Sequence, residues 1–377
     1  MKPENLLIVA DSERDANMLY AVRLFIPDPF IHLRIGGENH VILSDLEIDR
    51  AKKLARHCHV HSLSQHQQRC AKDGKKPASS AKIIQQFLRG HKIRKVLVPA
   101  NFPHGLAREL RRLHVKVRVK KGALFPEREL KTADEVKKIS AALMMAEVGL
   151  AEGIQVLRRA KIARNGDLFV HHNVPLTAEK LRAIIDIAVI QAGGVAGQTI
   201  VACGRQACDP HERGSGVLHA NQPIIIDIFP RSQKTGYFGD ITRTVVRGRA
   251  SEQLRKIYHT VGQAQDLAFS KLRPGVAARE IHQSVQKLFD GEGFKTAKTR
   301  GRMQGFFHGT GHGLGLEVHE SPRLGQGSTD VLRAGHVVTV EPGLYYHPIG
   351  GVRIEDVALI TAQAPRNLTK FEKVLEI

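Results

Sequence analysis

The chain contains no tryptophan, and Phe, Trp and Tyr together make up 5% of its 377 residues. Base stacking on aromatic side chains, a common way of gripping single-stranded nucleic acid, therefore has little to work with. The four cysteines, Cys58, Cys70, Cys203 and Cys208, form no CxxC pair, and a chain of this length does not need disulfides to hold a core. They read as reduced and structural. No run approaches the roughly 18 apolar residues of a membrane span. The opening LLIVA is short and is followed at once by DSERD, unlike a secretory signal. The expected address is cytoplasmic, with no membrane partner.

Acids are the scarcer sign of charge, 37 against 57 Lys and Arg, for a net +20. Residues 1–125 hold 24 bases and 11 acids, and the remainder 33 and 26, so the excess lies mainly in the first third. Such a charge raises nucleic acid as a partner. Without aromatic interleaving, the simpler reading is a solvated basic surface, and nucleic-acid recognition is not expected.

At this length two domains are expected. Up to about residue 125 the order is that of a small α/β domain: LLIVA, HVILSD, a helix DLEIDRAKKLAR, KVLVPA, a helix around GLARELRRL, and VKVRV. AKDGKKPASS, residues 71–80, has loop composition. From residue 126 the texture changes. Thr132 and Glu135 have capping-box spacing, and Ile139, Leu143, Ala146, Leu150, Ile154 and Leu157 follow at steps of three and four, so a long amphipathic helix opens the second domain. Further helices are expected over Ala178 to Gln191 and Glu252 to Leu272, and β-rich runs follow Ile200.

Those runs carry the chemistry. Asp227 ends the apolar IIID, and a turn at Gln233 to Gly236 lets Tyr237 to Val246 run back, so that Asp227 and Asp240 face each other. Thr242 shares the face of Asp240 and is placed to orient a carboxylate. A second hairpin is expected around Glu341, which ends VVTVE before Pro-Gly, with Arg353 and Glu355 on one face of VRIED. Between these acids lie His308, His312 and His319, in a segment with five glycines from 305 to 315, which implies a backbone in close approach to something. One acid at a strand end is ordinarily solvated. Four acids and an imidazole are more negative charge than a fold gathers without cations to offset it, and they point to a two-metal site. By contrast, His57, His59 and His61 in RHCHVHS alternate without nearby acids in the sequence and read as an exposed strand.

The ordered set Asp227, Asp240, His312, Glu341 and Glu355, inside HGTGHGLGLEVHE and GGVRIED, resembles the pita-bread metallopeptidases, which include methionine aminopeptidases, aminopeptidase P, prolidase and creatinase. The likeness covers residues 126–377. Residues 1–125 are similar in layout to the creatinase-type N-terminal domain of the proline-specific members. The resemblance implies an α/β N-terminal domain followed by an α+β pita-bread catalytic domain. It implies that Asp227 binds one ion through both oxygens, that Asp240 and Glu355 bridge two, and that His312 and Glu341 complete the other. Glu341 moves the proton, His319 stabilises the tetrahedral intermediate and His211 in DPHERG helps hold substrate. His308 and Arg353 match the proline-specific branch. The function so implied is hydrolysis of Xaa-Pro bonds by a metal-bridging hydroxide, of aminopeptidase P or prolidase type, on a peptide with proline at the second position. Two ions per chain are expected, Mn²⁺ first, with Co²⁺, Zn²⁺ or iron as substitutes, in a homodimer. The alternative is a non-catalytic binding protein on the same scaffold that uses the basic surface. One departure from the family pattern is the Asp227 to Asp240 interval, two residues longer than usual, with IFP after the first Asp.

Overall fold

Alternation along LLIVA sorts the N-terminal unit into two faces. Leu7 joins Ile31, Leu33, Ile42 and the helical Ile83, Ile84 and Phe87 in one core. Leu6 and Ile8 join Phe30, Val41, Met18 and Val22 in another, as a side-chain period of two requires. A strand covered on both faces reads as one apolar run. The computed structural model describes residues 4–71, 78–170 and 173–377 and divides into two units, Met1–Arg128 and Glu129–Ile377.

The first unit is a six-stranded sheet in the order Cys58–Ser62, Glu38–Leu43, Phe30–Ile35, Leu6–Ala10, Lys95–Val98 and Lys116–Val119. The first three strands in sequence form an antiparallel meander, and the outer ones add in parallel. Phe30–Ile35 and the helices Ala16–Val22, Leu63–Cys70 and Ser80–Gly90 had no clear signal in the pattern. The helix expected over DLEIDRAKKLAR is a 3₁₀ turn, Asp45–Glu47, and a short helix, Ile48–Leu54, that buries only Ala51. The expected loop over residues 71–80 lies mostly outside the described residues.

In the second unit Ala133–Arg159 opens with the capping box: the Glu135 amide donates to Thr132 Oγ1 at 3.3 Å, and the Thr132 amide to Glu135 Oε2 at 2.8 Å. This is the one helix among the described residues long and apolar enough to cross a bilayer. Its stripe of Val136, Ile139, Leu143, Leu150, Ile154 and Leu157 is buried, as befits a core helix. Gly149 and Gly153 let Ala178–Gln191 settle on it: a Cβ there would lie 2.7 Å from Val189 and 2.9 Å from Ile185. Helices Glu252–Lys271 and Ala278–Gly291 cover a second core with Val338, Val340, Val352 and Ile354.

Three pieces of the β-structure position the site. Ile224–Ile228 sits between Ile200–Cys203 and Ile241–Val245, and a five-stranded sheet runs Glu320–Leu324, Gly311–Gly313, Val337–Val340, Asp356–Leu359, Arg366–Asn367. The third piece corrects the second hairpin. Val337–Val340 pairs with Asp356–Leu359, whereas Gly343–Tyr346 pairs with Gly350–Arg353 in a separate ribbon. One long hairpin is thus broken at Glu341-Pro342 and Ile354-Glu355, because Pro342 has no N–H to continue the ladder. At the break the buried Gln265 amide from Glu252–Lys271 donates to the carbonyls of Val340 at 2.9 Å and Ile354 at 3.1 Å. Gln265→Leu leaves both without that donor. The expected cost is about 1–3 kcal/mol, read as a lower midpoint in urea with unchanged slope; an unchanged midpoint contradicts this account of the break.

Candidate metal centre

Each candidate ligand sits where a strand ends or is pinched. Asp227 lies near the end of Ile224–Ile228, opposite Thr242, and Asp240 stands one residue before Ile241–Val245. The two are therefore diagonal rather than directly opposed. His312 is the middle residue of Gly311–Gly313, held between two neighbouring strands. A Cβ on Gly311 would fall 2.0 Å from the Thr339 carbonyl oxygen, and one on Gly313 2.2 Å from that of Ser321. Those glycines are what close backbone packing demands. Glu341 and Glu355 flank the two sides of the broken hairpin, their amides donating to Thr310 O at 2.8 Å and Thr242 O at 3.0 Å.

These side chains converge. Asp240, His312 and Glu355 each offer a ligand atom within 4.8 Å of the others, and His312 Nε2 stands 3.3 Å from Glu341 Oε1 and 3.8 Å from Asp240 Oδ2. His312 Nδ1 lies 3.1 Å from the Gly313 carbonyl, which can only accept, so Nδ1 carries the proton and Nε2 a lone pair. Burial pushes the imidazole down to about 3, so it is neutral. A lone pair aimed at two carboxyl groups is repulsive unless a cation or a proton lies between them.

The acids tell the same story. Burial raises Asp240 well above its ordinary value, and Glu355, Asp227 and Glu341 push it further; burial raises Glu355 likewise, with Glu341 and Asp227 adding to it. Burial takes Glu341 up to about 7, with Arg353 opposing and Asp227 assisting. Asp227 Oδ1 and Glu355 Oε1 are buried without a hydrogen-bond partner. Orphaned oxygens beside a bare imidazole nitrogen are the donor set of a cation site, and the residues fit divalent metal.

The remaining oxygens are held in place. Thr242 Oγ1 donates to Glu355 Oε2 at 2.7 Å, Thr339 Oγ1 to Glu341 Oε1 at 3.3 Å, and Arg353 to Asp227 Oδ2 at 2.6 Å. Arg353 also donates to the Tyr345 hydroxyl at 3.1 Å. That hydroxyl, which burial pushes up to about 12, stands 2.8 Å from His308 Nε2. His308 Nδ1 lies 2.7 Å from the Gly309 carbonyl and so carries the proton, leaving Nε2 to accept from Tyr345. His308, Tyr345, Arg353 and Asp227 therefore form one chain of hydrogen bonds.

His319 packs edge-on against His312, ring centroids 4.4 Å apart, and His211 is exposed within electrostatic reach of His308 and His319. All nine sequence-marked residues thus lie in one region of the second unit. Sequence reasoning missed Tyr345, Thr339 and Gln265, and also the buried pair Lys131–Glu320, 2.8 Å apart. An aromatic, a hydroxyl and an amide inside apolar runs carry no signal of their partners. His59 does have an acid beside it, Glu38 at 3.3 Å, which sequence distance concealed.

Residues 137–362 match the model of metallopeptidase family M24. An Xaa-Pro dipeptidase of Pyrococcus horikoshii is 30% identical over 303 residues, 79% of this chain and 80% of that protein. One from Pyrococcus furiosus is 32% identical over 249 residues, 66% of this chain and 65% of that protein. The prolidase structure from Pyrococcus horikoshii superposes with a TM-score of 0.78 at 26% identity, covering 99% of this chain and 95% of that one. The X-Pro aminopeptidase of Thermotoga maritima shares the fold, with a TM-score of 0.82 at 22% identity over 99% and 97%. The second unit has the pita-bread fold, preceded by an α/β unit. The family match runs through all five residues around the orphaned oxygens and the bare imidazole nitrogen, and the chain belongs to metallopeptidase family M24.

Proposed function

We propose that the chain hydrolyses the peptide bond before proline, acting first as an Xaa-Pro dipeptidase, with two divalent cations held by Asp227, Asp240, His312, Glu341 and Glu355. The observation that carries this reading is the neutral His312 Nε2 lone pair, 3.3 and 3.8 Å from the Glu341 and Asp240 oxygens. Similarity to two Xaa-Pro dipeptidases at 30% and 32% identity supports the substrate class. The similarity to the prolidase over 99% of the chain supports reading the first unit as a creatinase-type N-terminal domain.

In this assignment Asp227, Asp240, His312, Glu341 and Glu355 would together hold the ions. Four carboxyl groups and one imidazole suit Mn²⁺ and Co²⁺. Divalent ions held there would supply Lewis acidity toward the scissile carbonyl and would lower the pKa of water. Glu341 takes up that proton and passes it to the leaving nitrogen. His319, exposed beside His312, donates to the developing oxyanion. His211 and His308 position the substrate. Arg353 acts through Asp227, whose Oδ2 it fixes at 2.6 Å.

Xaa-Pro dipeptides and Xaa-Pro-Yaa tripeptides assayed with Mn²⁺ test the reading. Hydrolysis of the dipeptides is expected; cleavage of neither set with two ions bound refutes it. Asp240→Ala is expected to abolish turnover and lower the metal content, whereas His308→Ala lowers turnover with metal retained.

The raised carboxyl groups give a second test. Without metal, the native chain keeps protons on Glu341 that the unfolded chain releases near 4.5. That contribution to stability is present below the unfolded value and is lost as pH rises through about 7. The metal-free protein is expected to melt at lower temperature on going from about pH 5 to about pH 8, with a smaller drop in Glu341→Gln and with bound Mn²⁺ opposing it. An equal drop in Glu341→Gln contradicts the assignment.

A further inference from the structure

The first unit gathers five histidines at one margin of its sheet. His40 lies on Glu38–Leu43, and His59 and His61 lie on the parallel edge strand Cys58–Ser62, in a register that places His40 beside His59 and Ile42 beside His61. His66 comes from Leu63–Cys70, and His91 follows Ser80–Gly90 at its C-cap. The His40 ring centroid is 4.9 Å from His59, 5.2 Å from His91 and 5.6 Å from His61, and His61 is 5.8 Å from His66. Phe87 lies against His91, His61, His40 and His66 at 4.6, 5.0, 5.5 and 5.6 Å.

His40 Nδ1 and His61 Nε2 are 3.3 Å apart. Two imidazoles on one tetrahedral ion hold their nitrogens about 3.3–3.4 Å apart, given metal–nitrogen lengths of about 2.0–2.1 Å. His91 Nδ1 lies 2.9 Å from the Phe87 carbonyl, so it carries the proton and Nε2 is left bare, the arrangement of a ligand whose other nitrogen is fixed by a carbonyl. His91 is exposed, and its ring stands 5.2 Å from that of His40. Burial, and then the neighbouring rings, push His61 down to about 4 and also lower His40, which keeps both in the neutral form that metals need. His57 stands apart, its Nε2 2.9 Å from the Ala21 carbonyl.

We propose that this margin of the N-terminal unit binds one late first-row transition ion of the Zn²⁺ class through His40 and His61, with His91 rotating in as third ligand and water as fourth. An all-imidazole set favours Zn²⁺, Ni²⁺ and Cu²⁺ over Mn²⁺ and Mg²⁺, the reverse of the oxygen-rich centre in the second unit. The two centres thus differ in the ions they select.

Equilibrium dialysis of the full chain against micromolar Zn²⁺ tests this, comparing wild type with the double variant His40→Gln/His61→Gln. One equivalent fewer in the variant, with Mn²⁺-supported Xaa-Pro hydrolysis unchanged in both, is the expected result. Equal zinc content overturns the proposal and leaves the rings as packing around Phe87. Should the double variant fail to fold, His91→Gln removes a single exposed imidazole. An additional equivalent bound at least tenfold more weakly supports the site, and an unchanged affinity overturns it.

Discussion

Four carboxyl groups share a buried space with one guanidinium, and their mutual repulsion is the constraint on which the second unit is built. Asp227, Asp240 and Glu355 are 9%, 3% and 2% exposed, so solvent does little to screen them. Charge at that density needs protons or cations to be tolerable. The surrounding hydrogen bonds fix one oxygen of Asp227 through Arg353 and one of Glu355 through Thr242. The opposite oxygen of each is left bare. A site organised in this way pays its repulsion in advance and recovers it when a cation binds.

The scaffold answers that demand with breaks in regular structure. The register is the same on both sides of the break, Val340 opposite Asp356 and Gly343 opposite Arg353, which sets Glu341 opposite Glu355. Where the ladder lapses at Pro342, Gln265 takes up the carbonyls of Val340 and Ile354. Arg243, buried to 2% exposure, donates to the Glu355 carbonyl at 2.6 Å and to Asp356 Oδ1 at 2.8 Å. It also reaches the Phe371 and Glu372 carbonyls, at 2.7 and 2.9 Å, so the C-terminal segment is tied to the backbone of a candidate ligand. Buried polar networks of this kind hold a site's geometry only when their members are satisfied together.

The basic surplus of the first third and the histidine margin belong to the first unit, whereas the acids are concentrated in the second. Its sheet has apolar cores on both faces, yet the edge strand CHVHS is partly exposed along its length. An edge strand lined by imidazoles is not a flat apolar template for strand-to-strand association.

Much of this was legible in the chain itself. Asp227, Asp240, His312, Glu341 and Glu355 stand out because charged groups inside apolar runs conflict with burial. The glycines beside His312 announce close backbone approach, and Thr132 with Glu135 announces a helix start. Phe30–Ile35 was harder to read between turn-like neighbours, and Tyr345, Thr339 and Gln265 were invisible because hydroxyls and amides are unremarkable until their partners are known. Local pattern alone thus determined which residues conflict with burial and which segments repeat at a strand or helix period. Tertiary structure alone decided which oxygen of each acid is bonded and which is bare, where the long hairpin breaks, and that His40 and His61 meet. The reason is that hydrogen bonds and metal ligation act over about three ångströms, between groups that the chain separates by tens or hundreds of residues.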